Sequence, residues 1–109
     1  MIMTDKYQEP DVLHVEVDYE DRELFALGYL DGFVEIDTIE GGLYKDRMCL
    51  TTICQHESDE SYWSFSWSEH IEAVGTDGND YNMDSYIHRV DRLEIGTTRK
   101  VVDWIRSRA

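Results

Sequence analysis

Between positions 12 and 19 apolar and polar residues alternate, with Leu13, Val15, Val17 and Tyr19 on one side and His14, Glu16 and Asp18 on the other. A period of two marks a half-buried strand, here with an acidic outer face. A second signal follows at once. Apolar runs at 24–30 and 33–39 flank Asp31-Gly32, a pair that suits a two-residue type I′ hairpin because both turn positions need positive φ. With Leu30 opposite Phe33, residues Phe25, Leu27 and Tyr29 share a face with Val34, Ile36 and Thr38, while Glu35 and Asp37 occupy the reverse. One face is apolar and the other acidic, as a consistent register demands.

Glu40-Gly41-Gly42 reads as another turn, and the β-rich run 48–54 as a further strand. The polar cluster 55–61 leads into Tyr62-Trp63-Ser64-Phe65-Ser66-Trp67, where three aromatic rings alternate with serines and project from one side of a strand. Such a row fills a sheet's core; left exposed, it is a binding face. Residues 68–75 suit a strand extension or a short helix, 76–80 form a loop, and 81–95 mix two periods, with strand preferred. After Gly96, Thr97 or Thr98 caps a closing helix that puts Val101, Trp104, Ile105 and Arg108 on one face. Arg106 and Arg108 near its end complement the helix dipole.

These elements predict one α+β domain over residues 1–109: a mainly antiparallel sheet of four to six strands with a C-terminal helix packed on it. Residues 1–10, closed by the single proline Pro10, form a loose lead-in. A chain of 109 residues that is 41% hydrophobic, with three Trp, three Phe and seven Tyr, is long and apolar enough for one core. No apolar run reaches membrane-spanning length, and the start lacks a signal peptide's basic-then-apolar pattern. The expected location is the cytoplasm. Cys49 and Cys54, five apart on a strand, are separated by about 16 Å, too far for a disulfide. Free thiols agree with a reducing compartment.

Charge changes the picture most. The chain carries 24 Asp and Glu against 10 Lys and Arg, a formal net charge of -14, dispersed from Asp5 to Asp103. Such a surface repels nucleic acid and anionic membranes and attracts basic protein. The cationic residues Arg89, Arg92, Arg99, Lys100, Arg106 and Arg108 read as partners of neighbouring acids rather than a phosphate-binding patch.

Chemistry-bearing patterns are weak. Cys49, Cys54 and His56, with His70 or His88, are residue types that zinc accepts, yet no Cys-x2-Cys pair is present and the two cysteines point to opposite faces of a strand. Asp80, Asn82, Asp84 and Asp91 imitate a calcium loop, but Ser85 stands where the sharp turn needs Gly and Asp91 where a longer Glu belongs. Ser68, Glu69 and His70 are adjacent and so cannot face one another as a triad. No metal, no cofactor and no catalysis are expected.

Acids two apart on an outward strand face, Glu16 with Asp18 and Glu35 with Asp37, recur every 6.6 to 6.8 Å or so, with neighbouring strands about 4.8 Å away. That is the length scale of phosphates, about 3.4 Å apart along each nucleic-acid strand. The expected function is a small non-enzymatic inhibitor that binds a basic, nucleic-acid-binding protein or nuclease. Phage anti-defence proteins, including anti-CRISPR and anti-restriction nucleic-acid mimics, and immunity proteins of nuclease toxins have this character. Expected contact residues are Glu16, Asp18, Glu35 and Asp37, a second acidic group of Glu57, Asp59 and Glu60, and Trp63. The alternative is a salt-adapted or structural domain with no inhibitory role.

Overall fold

The computed structural model describes residues 12–44, 46–70, 79–95 and 101–107. In chain order the elements are β1 (His14–Glu16), α1 (Tyr19–Leu27), β2 (Phe33–Tyr44), β3 (Arg47–His56), β4 (Tyr62–His70), β5 (Tyr86–Ile95) and β6 (Val101–Arg106). All pairings are antiparallel, in the order β1-β5-β4-β3-β2, with β6 also on β5. The Arg89 N–H donates to the Leu13 carbonyl at 2.8 Å, and the Arg89 carbonyl accepts from the Ser107 N–H at 3.0 Å. Both groups of one strand residue point to the same side, so β1 and β6 lie end to end along one edge of β5. The opposite edge of the sheet is β2.

Register assigns the faces. Cys54 pairs with Trp63, Thr52 with Phe65 and Leu50 with Trp67, and these residues meet Phe25 and Ala26 of α1 in the main core. The serine-alternating aromatic row is therefore core, with Trp63 and Phe65 wholly buried. Phe25 packs edge-on against Phe33 and Phe65. Buried Thr52 joins helix to sheet: its hydroxyl donates to the Ala26 carbonyl at 2.9 Å and accepts from the Trp67 indole at 3.0 Å. Thr51, Ile53 and Gln55, opposite Ser66, Ser64 and Tyr62, occupy the other face. There Trp104 of β6 reaches to β2, its indole donating to Asp37 Oδ2 at 2.9 Å and its ring meeting Tyr62.

Five expectations are corrected. The segment expected as the first arm of a hairpin is instead α1. The Asp18 carboxylate accepts the Asp21 N–H at its start, and at its end Gly28 (φ 82) leaves the Gly28 and Tyr29 N–H groups on the Phe25 and Leu24 carbonyls. That is a Schellman stop, available only where φ can be positive. The strand expected over 12–19 correspondingly ends at Glu16. Asp31-Gly32 does turn the chain, but from helix to strand. Positive φ falls on Gly32 alone, since Glu60 is the only non-glycine with positive φ among the described residues, so the turn has the type II pattern rather than I′.

Glu40-Gly41-Gly42 is not a turn; it lies within β2, where the register shifts between Glu40 and Gly42. A glycine there absorbs a bulge, with Gly42 at φ 113. The expected C-terminal helix is the strand β6, because Val101, Val102, Trp104 and Ile105 suit a pleated surface and β5 offers an edge to pair with. Its expected caps, Thr97 and Thr98, lie outside the described residues, as do 1–10 and 71–78. The α+β class and the mainly antiparallel sheet of four to six strands stand, with six strands in the described residues and the helix near the N-terminal side.

Candidate functional site

The expected carboxylate rows do not form. Glu16 is exposed at the end of β1, but Asp18 is spent on the α1 cap. In β2 the register slips between Glu35 and Asp37, and the extra residue, Ile36, sends the two acids to opposite faces. Glu35 lies on the helix side against Gly28 and accepts from the Thr38 hydroxyl at 2.7 Å. Asp37 faces the other way, held by Trp104 and by the Thr38 N–H. Trp63, expected as a contact residue, is buried, with the Arg89 guanidinium 5.0 Å over its ring.

The second acidic group fares differently. Residues 57–60 form the turn between β3 and β4, closed by the His56 N–H on the Ser61 carbonyl at 2.7 Å and the Glu60 N–H on the His56 carbonyl at 2.9 Å. Asp59 is the internal fastener. One oxygen accepts the Ser61 N–H at 3.0 Å and the Ser61 hydroxyl at 2.6 Å, and meets His56 Nδ1 at 3.2 Å, while Arg89 approaches the other at 4.0 Å. Burial works against ionising this carboxyl, but the Ser61 and His56 bonds prevail and hold it below its ordinary value. The Ser61 hydroxyl in turn accepts from the Trp63 indole at 2.8 Å. The turn is thus wired to the core.

With Asp59 tied to Ser61 and His56, Glu57 and Glu60 are the exposed acids of the turn that are left to face solvent. The Glu57 N–H donates to the Gly32 carbonyl at 2.9 Å, which sets the exposed Asp31 beside them. Three exposed carboxylates from two turns therefore share one end of the sheet. Glu60 sits there at φ 62, a left-handed conformation that costs a non-glycine residue about 1 kcal/mol. Asp31 was absent from the expected contact residues. Its apparent role as half of a hairpin turn hid its place beside the β3–β4 turn, 26 residues further along the chain.

The groups that imitate metal or catalytic sites are drawn apart. His56 turns to Asp59 and Ser58, His70 to Asp46 at 2.6 Å, and His88 to Asp84 at 2.7 Å. Burial opposes ionisation of Asp84, yet the bonds from His88 and the Tyr86 N–H keep its carboxyl below the ordinary value. Cys54 is buried and its thiol is pushed up to about 12 by that burial, with the Glu35 charge adding to it. Such a thiol is a poor nucleophile and ligand. Among the described residues no group of three or more His, Cys, Asp and Glu is arranged to hold a metal ion. Asp80 is tied to the Asn82 N–H and Asp91 to the Ser107 hydroxyl, so the calcium-like acids serve separate local contacts.

Two shallow clefts flank Trp104 on the face away from α1. One, of about 290 Å³, is lined by Ile36, Asp37, Gln55, Tyr62, Arg92 and Trp104. Ile53, Val90 and Arg106 are among the walls of the other, of about 210 Å³. Of the cationic residues, Arg89 thus lies over Trp63 and Arg92 and Arg106 line the clefts; Arg99, Lys100 and Arg108 lie outside the described residues. No helix of the described residues is long and apolar enough to cross a membrane. No family model matches the chain, and no curated protein or solved structure matches it.

Proposed function

We propose that this protein is a non-enzymatic inhibitor that binds a basic, nucleic-acid-binding protein through the acidic end of its sheet. Asp31, Glu57 and Glu60 are the contact residues, and each stands in for a phosphate opposite Arg or Lys on the partner. Asp59 is a positioning residue that fixes the turn. The observation that carries the reading is Glu60: a carboxylate kept at a left-handed position that glycine fills without strain, on an exposed turn fastened by the Asp59–Ser61 bonds and, through the Ser61 hydroxyl, by the indole of buried Trp63. Rigid placement lowers the ordering entropy lost on binding, and the net charge of -14 steers a cationic partner to the surface.

The carboxylates gather on turns instead of running along a strand. That favours a compact contact, as in an immunity protein against a basic nuclease, over the long phosphate-like array of a nucleic-acid mimic directed at a restriction or CRISPR effector. The test is retention of basic proteins from a lysate at low ionic strength by the wild type and by the double variant Glu57→Lys/Glu60→Lys. A nucleic-acid-binding protein retained by the first and lost by the second is the expected result. Equal retention by both overturns the assignment of the site.

A further inference from the structure

The strand β2 ends the sheet: among the described residues β3 is its only strand partner. Its outward N–H and C=O groups are a template for a further strand. The side chains along it have a distinct chemistry. Val34, Ile36, Ile39 and Leu43 are exposed at 47%, 42%, 36% and 62%, interleaved with Glu35, Asp37 and Glu40. No other strand carries so many exposed aliphatic groups among the described residues.

A second copy of the chain is a poor occupant. Pairing β2 with itself brings three carboxylates from each copy onto one seam, between bodies that each carry a net charge of -14. Like charges across a strand pair oppose association. The register shifts at Glu35/Asp37 and Glu40/Gly42 also shorten the straight stretch on offer, which guards an edge against indiscriminate pairing. A short segment that alternates cationic and aliphatic residues escapes the like-charge penalty and fits the straight stretch that remains. Its cations meet Glu35 and Glu40 on the helix side, and its aliphatic groups cover Ile39 on the other face.

We propose that β2 is a strand-addition site for an extended, basic segment of the partner protein. This rests on the inhibitor reading and adds a second contact to it: the acidic turns attract the partner, and β2 captures its chain. The β2 site lies along the edge and the acidic turns at its Phe33 end, so the two are experimentally separable.

The probe is a ten-residue synthetic peptide alternating lysine and valine, added to the full chain at low ionic strength while amide exchange is followed residue by residue by NMR. Added protection at Glu40 is expected, with affinity about two- to fivefold weaker for Glu40→Lys, the effect of one exposed ion pair. A version of the peptide methylated at alternate backbone nitrogens should lose about tenfold or more, because main-chain bonds carry strand addition. Perturbation confined to residues 57–61, equal for a sequence-scrambled peptide, overturns the β2 site and leaves the acidic-turn reading standing. Absence of binding overturns the β2 site too, while lysate retention tests the acidic turns independently. Protection of β2 that rises with protein concentration and no peptide assigns the edge to a second copy and also overturns the proposal.

Discussion

In the proposed site, Glu60 sets local stability against binding. Glycine at φ 62 is unstrained, so Glu60→Gly should raise stability by about 0.5–1 kcal/mol while weakening partner binding; denaturant titration beside a binding assay checks both directions. A loss of stability would mean that the Glu60 side chain supports the turn. Thr52 gives the opposite case. Replacing it by valine keeps the shape but strips the Ala26 carbonyl and the Trp67 indole of a buried partner, so Thr52→Val should cost about 2 kcal/mol, read from the urea midpoint. Asp59 adds a pH signature. Its folded-state value lies below the ordinary 3.8, so its stabilisation is complete above that value and is lost as pH falls from there through the folded value. Asp59→Asn should therefore cost about 1 kcal/mol at neutral pH and nothing once both states are protonated, a convergence visible in acid-unfolding curves.

At the scale of elements, sequence and structure part company in instructive places. The β-rich run before the polar turn and the strand character of the aromatic row were legible because alternation on a two-sided sheet has few other solutions, whereas 81–95 mixed two periods with strand only preferred, and the burial of Trp63, expected as a contact residue, was decided by packing against α1. The helix Tyr19–Leu27 was not, although its cap Asp18 and its stop Gly28 are plain signals. The alternation leading into Asp18 and the Asp-Gly turn beyond it made one continuous hairpin, and nine residues show too little helical period to displace it. The C-terminal strand failed for the reverse reason: β5 supplies an edge that no local pattern announces. The acidic turn at 57–60 was legible as a group, but the bulge at Ile36 that scatters Glu35 and Asp37 leaves no mark in the sequence. The bond from Trp104 to Asp37 spans 67 residues and pins β6 over the far face. Trp104→Phe, which keeps an aromatic ring beside Tyr62 but removes the donor, should cost about 1–2 kcal/mol and speed amide exchange in β6 more than in β3 or β4. Uniform acceleration across the sheet would contradict a local fastening.

For the whole molecule, charge and fold make separate contributions. The core around α1 needs none of the solvent-facing acids, whereas a net charge of -14 opposes compactness and is relieved by salt. Folding stability should consequently rise modestly with ionic strength while affinity for a basic partner falls steeply. A salt-adapted domain shows the first trend without the second. The most direct measurement is competition: a fluorescent DNA duplex is bound to the basic protein that this chain retains, and the chain is added at fixed, low salt. Displacement of the duplex by the wild type, and its loss in Glu57→Lys/Glu60→Lys, is the predicted result; a duplex that stays bound at saturating inhibitor contradicts the claim that these carboxylates stand in for phosphates.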